Sequence, residues 1–183
     1  MIIRETSIPD LLVIQPKIHN DNRGYFFESY KNSDFELNNL PTRFLQQNQS
    51  KSTRGVLRGL HYQLQYGQDK LVWVSQGEVM DVAVDIRKDS ATFGHYESLI
   101  LNDENHYRFY IPKGFAHGYY VLSEIAIFQY MCTDIYHPED EYGVAWNDPE
   151  INIKWPNGEK SISDKDIKLP CLKDIETKKL PAI

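Results

Sequence analysis

Residues 70–86 read KLVWVSQGEVMDVAVDI. Two runs rich in β-branched residues stand on either side of Gln76 and Gly77, and such runs are typical of β strands. Glycine accepts the positive φ that a tight hairpin turn needs. The segment therefore predicts a β hairpin whose strands cover residues 70–75 and 79–86.

Similar runs recur at residues 25–30, 107–111, 118–122 and 125–132, with a further turn predicted at residues 102–105. Short strands at this spacing are typical of an all-β sandwich or barrel. The best helical signal is a capping box from Ser33 to Glu36, which predicts a short helix outside the sheets. From Trp146 onward, repeated prolines predict an irregular tail that packs on the main body.

Composition limits the class of protein. The chain has 183 residues, 41% of them hydrophobic, so we expect one packed domain over residues 1–183. Its net charge of −6 argues against nucleic acid or an anionic membrane as a partner. The first ten residues carry charges and no long apolar run, so we expect a cytoplasmic protein without a signal peptide or membrane span. Cys132 and Cys171 are expected to be free thiols.

The densest cluster of polar residues and glycines is RGVLRGLHYQ, at residues 54–63. In an extended strand Arg58 shares one face with Leu60 and Tyr62, and His61 shares the other with Gln63. A lone histidine on such a strand is usually an ordinary surface residue. The polar neighbours of His61 favour a functional site instead.

Two carboxylates and a second imidazole follow. Asp81 and Asp85 fall on the strand face of Val79, which points either to solvent or to a polar barrel interior. Residues 112–118, PKGFAHG, form a turn that places His117 at the start of another strand. This order of proline, glycine and histidine resembles the second motif of the cupin superfamily, whose members are jelly-roll β barrels with an internal site.

The same segments argue against a metal. Metal-dependent cupins usually supply two histidines and a carboxylate from a first motif and one histidine from the second, a set suited to iron or manganese. Here the first motif offers only His61, with Gln63 where the second histidine would stand. We therefore expect no bound metal.

A pocket without a metal can still transfer protons, because histidine titrates near neutrality. Tyr130 shares a strand face with Phe128 and Cys132, which places its phenol in an apolar wall or simply in the core. Asp166 comes from the tail, where it is either an orienting partner for His61 or a solvated charge. His61, Tyr130 and Asp166 are thus the candidate catalytic groups.

Seven segments together resemble the dTDP-4-dehydrorhamnose 3,5-epimerase family and occur in the family's order: residues 21–28, 50–63, 70–72, 77–85, 112–118, 130–136 and 163–166. The resemblance implies a cupin-type jelly-roll barrel with a few short peripheral helices. It also implies a cofactor-independent isomerase that inverts C3 and C5 of dTDP-4-dehydro-6-deoxy-D-glucose. A single-carbon epimerase, a ketoisomerase, a non-catalytic sugar-nucleotide-binding cupin and a metal-dependent dioxygenase remain alternatives.

The resemblance also implies roles. His61 is the general base, Asp166 is its partner, Tyr130 is the acid on the opposite face of the sugar, and Lys70 lies beside the C4 oxygen. Tyr136 is a second candidate proton donor. The implied nucleotide, diphosphate and sugar contacts are Arg23, Phe26, Glu28, Gln46, Gln47, Asn48, Arg58, His117, Glu141 and Lys165.

The family forms homodimers in which the N-terminal segment completes the neighbour's site, so Arg23, Phe26 and Glu28 are expected to act in trans. One stretch departs from the family pattern. Residues 46–50 read QQNQS where the family usually reads Gln-Asp-Asn-His-Ser. We expect Gln47 and Gln49 to change the polar contacts near the sugar.

Overall fold

The computed structural model describes residues 1–182, and its chain is built mainly from antiparallel β strands. The strands are β1 (Ile2–Glu5), β2 (Leu12–Gln15), β3 (His19–Asp21), β4 (Gly24–Phe26), β5 (Gln46–Thr53), β6 (Leu57–Gln63), β7 (Lys70–Gln76), β8 (Glu78–Asp85), β9 (Tyr96–Asn102), β10 (Arg108–Ile111), β11 (Phe115–Val121), β12 (Ile125–Cys132) and β13 (Glu141–Gly143). The helices are α1 (Asn32–Leu37), α2 (Asp164–Ile167) and three 3-10 turns at Pro138–Asp140, Leu172–Asp174 and Thr177–Lys179.

Two sheets form the body. The first has the order β1-β2-β10-β7-β12-β5, and the second has the order β13-β6-β11-β8-β9. A separate two-stranded hairpin, β3-β4, belongs to neither sheet. The expected all-β jelly roll with a few short helices is confirmed.

The core lies between the two sheets because side chains alternate along each strand. Val72 on β7, Ala83 on β8, Phe109 on β10 and Phe128 on β12 are all buried there. The two outer faces are also covered. Helix α1 packs Phe35 on the outside of the six-stranded sheet, and the C-terminal tail packs on the outside of the five-stranded sheet. Strand β8 is therefore buried almost throughout.

Most strand predictions are confirmed, including the hairpin turn at Gly77, where φ is +79°. Residues 25–30 are an exception, since the strand β4 ends at Phe26. The hairpin β3-β4 stands apart from both sheets, so no neighbouring strand extends its ladder. The helix begins at Asn32, with Lys31 as an N-cap that makes no side-chain hydrogen bond, so the capping box at Ser33 is wrong.

Two further predictions have clear outcomes. Cys132 and Cys171 are both free, as expected. The described part of the chain has no helix that is both long and apolar enough to cross a membrane.

Gly77 provides a test of the turn that joins β7 to β8. A Cβ added there would overlap the Ile125 carbonyl oxygen and Ser123 Oγ, whereas one at Gly94, with a similar φ of +77°, would meet only Leu172 at 3.7 Å. We expect Gly77→Ala to lower the free energy of unfolding by about 2–5 kcal/mol, from backbone strain plus overlap. Gly94→Ala should cost about 1–2 kcal/mol from strain alone. Urea unfolding measures both, and equal losses would contradict the packing argument.

Candidate active site

A polar cavity opens at one end of the space between the two sheets. One part, of about 250 Å³, is lined by His61, Lys70, Tyr130 and Glu141 among others. A second part, of about 220 Å³, shares three of these residues and adds Arg58 and His117. The cavity therefore joins polar side chains from β6, β7, β11, β12 and β13.

His61 and Asp166 form a hydrogen-bonded pair on the β6 side of the cavity. His61 Nε2 lies 2.7 Å from Asp166 Oδ1, and Asp166 Oδ2 accepts the Gly59 amide at 3.2 Å. Ser163 caps α2 by accepting the Asp166 amide at 3.1 Å, which fixes the carboxylate in the first turn. A carboxylate only accepts hydrogen bonds, so Nε2 carries the hydrogen and Nδ1 is the basic nitrogen.

The charge state of Asp166 follows from these contacts. Burial favours the neutral carboxyl, but the hydrogen bond and charge of His61 and the Gly59 amide outweigh that effect. The pKa of Asp166 is therefore lower than its ordinary value. Asp166 stays an anion at neutral pH and can stabilise a positively charged imidazole.

Tyr130 faces His61 from the opposite sheet. It lies on β12, points inward with Phe128 and lines both parts of the cavity. Burial raises the pKa of Tyr130 to about 12, so its phenol holds its proton at neutral pH. An imidazole and a protonated phenol thus stand on two sides of one cavity.

Lys70 lies at the floor of the cavity, at the first position of β7. Burial lowers the pKa of its ammonium, while the nearby thiol of Cys132 and the carboxylates of Glu141 and Asp81 act in the opposite direction. These carboxylates help to keep a positive charge inside the cavity.

His117 and Asp81 form a second buried pair. His117 Nε2 lies 2.9 and 3.0 Å from the two carboxylate oxygens of Asp81, which is fully buried. Burial raises the pKa of Asp81, and His117 and Lys70 oppose that rise. Of the two predicted orientations for Asp81, the polar barrel interior is the one observed. The alternation of residues along the strand correctly places Asp81 on the face of Val79. No feature of the sequence indicates that Asp81 pairs with His117.

Three residues form a cluster at the mouth of the cavity. Glu141 accepts short hydrogen bonds from the Tyr136 hydroxyl and from Lys165 Nζ, and its other oxygen lies 3.8 Å from His61 Nδ1. The hydrogen bond to Glu141 raises the pKa of Tyr136 to about 12. The Tyr136 amide donates to Gln46 Oε1 at 2.7 Å, which joins this cluster to β5.

Arg58 lines the cavity together with His61, although strict alternation predicts opposite faces. The pairing between β11 and β6 explains this, because His117 is opposite His61 while Tyr119 is opposite Arg58. Strand β6 therefore carries one extra residue over this interval, and such an irregularity re-aims side chains.

Strand β5 divides its residues between two faces. Gln46 and Asn48 line the cavity and Gln49 borders its second part, although Gln47 and Gln49 are both exposed at the outside of the sheet. Gln49 accepts a hydrogen bond from Gln129 there, at 2.9 Å. Gln47 therefore does not line this cavity, whereas Gln49 borders it from an exposed position.

The N-terminal candidates also lie outside the cavity. Arg23 pairs with Asp21 at the tip of the β3-β4 hairpin, and Phe26 is 67% exposed. Glu28 lines a different hollow, beside α1. Gln63, at the position expected for a second metal ligand in related barrels, instead donates to the Tyr66 carbonyl and accepts from the His137 amide. Gln63 thus joins two loops.

Comparison with known proteins identifies close relatives. The family model for dTDP-4-dehydrorhamnose 3,5-epimerase matches residues 5–174. An Escherichia coli K12 protein named dTDP-4-dehydrorhamnose 3,5-epimerase is 46% identical over 185 residues, covering 100% of both chains.

Solved structures agree with this. A crystal structure of dTDP-6-deoxy-D-glucose-3,5-epimerase from Legionella pneumophila, in complex with dTDP-4-keto-L-rhamnose, has a TM-score of 0.96 and 50% identity and covers 99% of this chain and 97% of that chain. A 3′-monoepimerase from Streptomyces bikiniensis, in complex with dTDP-quinovose, has a TM-score of 0.92 and 32% identity and covers 97% of this chain and 91% of that chain.

The Glu141–Tyr136 hydrogen bond can be tested by titration. Glu141→Gln removes the carboxylate that raises the pKa of Tyr136 to about 12. We expect that pKa to fall toward the ordinary tyrosine value of about 10. Ultraviolet difference spectra of tyrosinate formation measure the change, and the shift should vanish when Tyr136→Phe is added to Glu141→Gln. Identical titrations of the wild-type and Glu141→Gln proteins would show that this contact is absent in solution.

Proposed function

The chain belongs to the dTDP-4-dehydrorhamnose 3,5-epimerase family, and we propose that its cavity carries out this reaction with His61 as base and Tyr130 as acid. The enzyme is an isomerase that acts on a dTDP-linked 4-ketosugar. In the proposed reaction, C3 and C5 of dTDP-4-dehydro-6-deoxy-D-glucose are inverted to give dTDP-4-dehydro-L-rhamnose. The observation that carries the proposal is the placement of a basic imidazole nitrogen and a protonated phenol on facing sheets of one cavity.

The first step is removal of a proton from carbon. Nδ1 of His61 takes the proton from C5 or C3, and the electron pair moves toward the C4 oxygen to form an enolate. Asp166 stabilises the resulting imidazolium, as the acid of a catalytic triad does. A charged Lys70 beside the C4 oxygen stabilises the enolate, and the poorly solvated cavity strengthens this interaction.

The second step returns a proton to the opposite face of the carbon. Tyr130 donates its phenolic proton there, the enolate collapses to the ketone, and the carbon is inverted. Tyr130 then regains a proton from solvent, and His61 releases the proton it took. The raised pKa of Tyr130 suits this role because the phenol stays protonated until an adjacent carbanion needs the proton.

The nucleotide is proposed to bind at the mouth of the cavity. Arg58 is exposed there and Lys165 reaches Glu141, so both cations can turn to a diphosphate. Gln46 and Asn48 lie on β5 and offer amide groups to the sugar inside the cavity.

We propose further that residues 1–183 act as one domain within a homodimer. Arg23 and Phe26 lie on the projecting β3-β4 hairpin, away from their own cavity, and the exposed Phe26 ring has the size and apolar character to stack on thymine. A second copy would bring this hairpin, with Glu28, to the mouth of its neighbour's site. The proposed assembly explains why these residues are exposed in one chain.

The single-carbon alternative remains testable because a 3′-monoepimerase has the same fold. Incubation of the dTDP-4-ketosugar with enzyme in deuterated water, followed by NMR, locates the exchanged positions. Deuterium at both C3 and C5 is expected. Deuterium at one carbon would identify a monoepimerase, and binding of dTDP without exchange would identify a non-catalytic cupin.

Variants of the two facing residues separate the steps. His61→Asn should lower exchange at both carbons by about 10²–10⁴-fold while dTDP affinity stays nearly unchanged, because it removes the base. Tyr130→Phe should still exchange the first proton through His61 but form the inverted product slowly. If Tyr136→Phe stops inversion and Tyr130→Phe does not, Tyr136 is the donor and the assignment of Tyr130 is wrong.

Completion of the site in trans predicts complementation between two defective chains. One chain carries His61→Asn, and the other carries Arg23→Ala with Phe26→Ala; each alone should be nearly inactive. Co-expression in equal amounts should restore about a quarter of the wild-type activity, because random pairing leaves one complete site in half of the dimers. Activity no higher than the sum of the separate variants would show that the hairpin acts within its own chain.

A further inference from the structure

Arg108 is a buried arginine outside the catalytic cavity. It lies on β10, on the outer face of the six-stranded sheet, and is only 3% exposed. Its Nη2 donates to Ser29 Oγ at 2.7 Å, and its guanidinium lies over the Trp73 ring at 4.6 Å and the Phe27 ring at 5.8 Å. Within residues 1–182, its Nε and Nη1 have no hydrogen-bond partner.

This arrangement leaves a positive charge without an anion. Burial lowers the pKa of Arg108 to about 10, so the guanidinium is still charged at neutral pH. The aromatic rings attract the cation, but they do not provide hydrogen-bond acceptors for the three N–H groups of Nε and Nη1. Removing a charge from water without pairing it costs several kcal/mol, and folded proteins usually avoid that cost with a counter-ion.

The same side chain lines a cavity of about 90 Å³ beside α1, which is bordered by further basic and acidic side chains. Lys17 and Lys31 contribute positive charge, and His19 stands at the rim. Two carboxylates, Glu28 and Asp34, also border the cavity; each lies within 4 Å of Lys31 rather than pairing with Arg108. The hydroxyls of Ser29 and Tyr30 complete the polar lining.

We propose that this cavity binds a small oxyanion of the phosphate class, with Arg108 as its anchor. The volume suits a single tetrahedral anion and is too small for a nucleotide. The guanidinium of Arg108, which has three unpaired N–H groups on Nε and Nη1, would donate to its oxygens, and Lys17 would add positive charge. Charge-assisted hydrogen bonds of this kind are among the strongest in proteins.

The position of the proposed site links it to the β3-β4 hairpin. Phe27 and Ser29 contact Arg108 and follow directly after β4 in the chain. An anion bound at Arg108 would therefore tie down the base of the hairpin. The proposed site is separate from the cavity that holds His61, and it does not depend on the reaction assigned there.

Inorganic phosphate is the probe for a test on the full chain. Thermal unfolding is followed during phosphate titration, with ionic strength held constant by sodium chloride and with saturating dTDP to occupy the catalytic cavity. At about ten times the dissociation constant, phosphate should raise the unfolding midpoint of the wild-type protein by about 3–6 °C. Fluorescence of Trp73, which covers the guanidinium, should change along the same titration.

Arg108→Met keeps a side chain of similar length without the charge. It should abolish both phosphate responses, and it should unfold at a higher temperature than the wild-type protein when phosphate is absent, because the buried charge is gone. Arg54→Met removes an exposed arginine and serves as the matched control, with the wild-type response expected. A fold defect in Arg108→Met would appear as loss of dTDP binding, in which case Arg108→Gln takes its place.

Three results would overturn the proposal. The first is an equal phosphate response in the wild-type and Arg108→Met proteins, which would place the ion elsewhere. The second is an equal effect of chloride at the same ionic strength, which would indicate screening alone. The third is a contribution of Arg108 to stability that rises with protein concentration and ignores phosphate, which would identify a carboxylate of a second copy as the partner of Arg108.

Discussion

The hydrogen bond between His61 and Asp166 holds the active site together. It joins residues 105 positions apart and ties the C-terminal tail to β6. The same carboxylate accepts a hydrogen bond from the Gly59 amide, so the C-terminal tail also fixes the irregular part of β6. That irregularity is what lets Arg58 and His61 reach one cavity. The orientation of the His61 imidazole, the shape of β6 and the position of the tail therefore depend on one carboxylate, which is itself positioned by a short capped helix.

The cavity separates its charges by depth. Asp81 and His117 are buried at the inner end and Lys70 is half-buried beside them, while Glu141 and Lys165 lie at the mouth. The proposed reaction needs a cation and a neutral proton donor inside the cavity, and the proposed diphosphate site needs cations at the mouth. One cavity can meet both needs because the strands that line it carry buried residues at its inner end and exposed residues at its mouth.

Much of this architecture can be predicted from the sequence. Alternating apolar residues and Gly77 predict the β7-β8 hairpin, and the prolines after Trp146 predict the irregular tail. Strand β5 cannot be predicted in this way, because its eight residues are all polar and form a strand only by pairing with β12. The sequence also does not predict that Arg58 and His61 face the same cavity, because the extra residue in β6 can be recognised only from its pairing with β11. Local pattern predicts elements, whereas partners from distant segments decide which way their side chains point.

Strand β5 has one further consequence. It is the last strand of its sheet, so one side of its backbone has no neighbouring strand within residues 1–182. Such edges can recruit strands from other molecules and seed aggregation. Glutamine and lysine side chains at Gln47, Gln49 and Lys51 keep this edge hydrophilic, while Gln46 and Asn48 line the cavity. One eight-residue segment thus combines a cavity wall on one face with a hydrophilic, aggregation-resistant edge on the other.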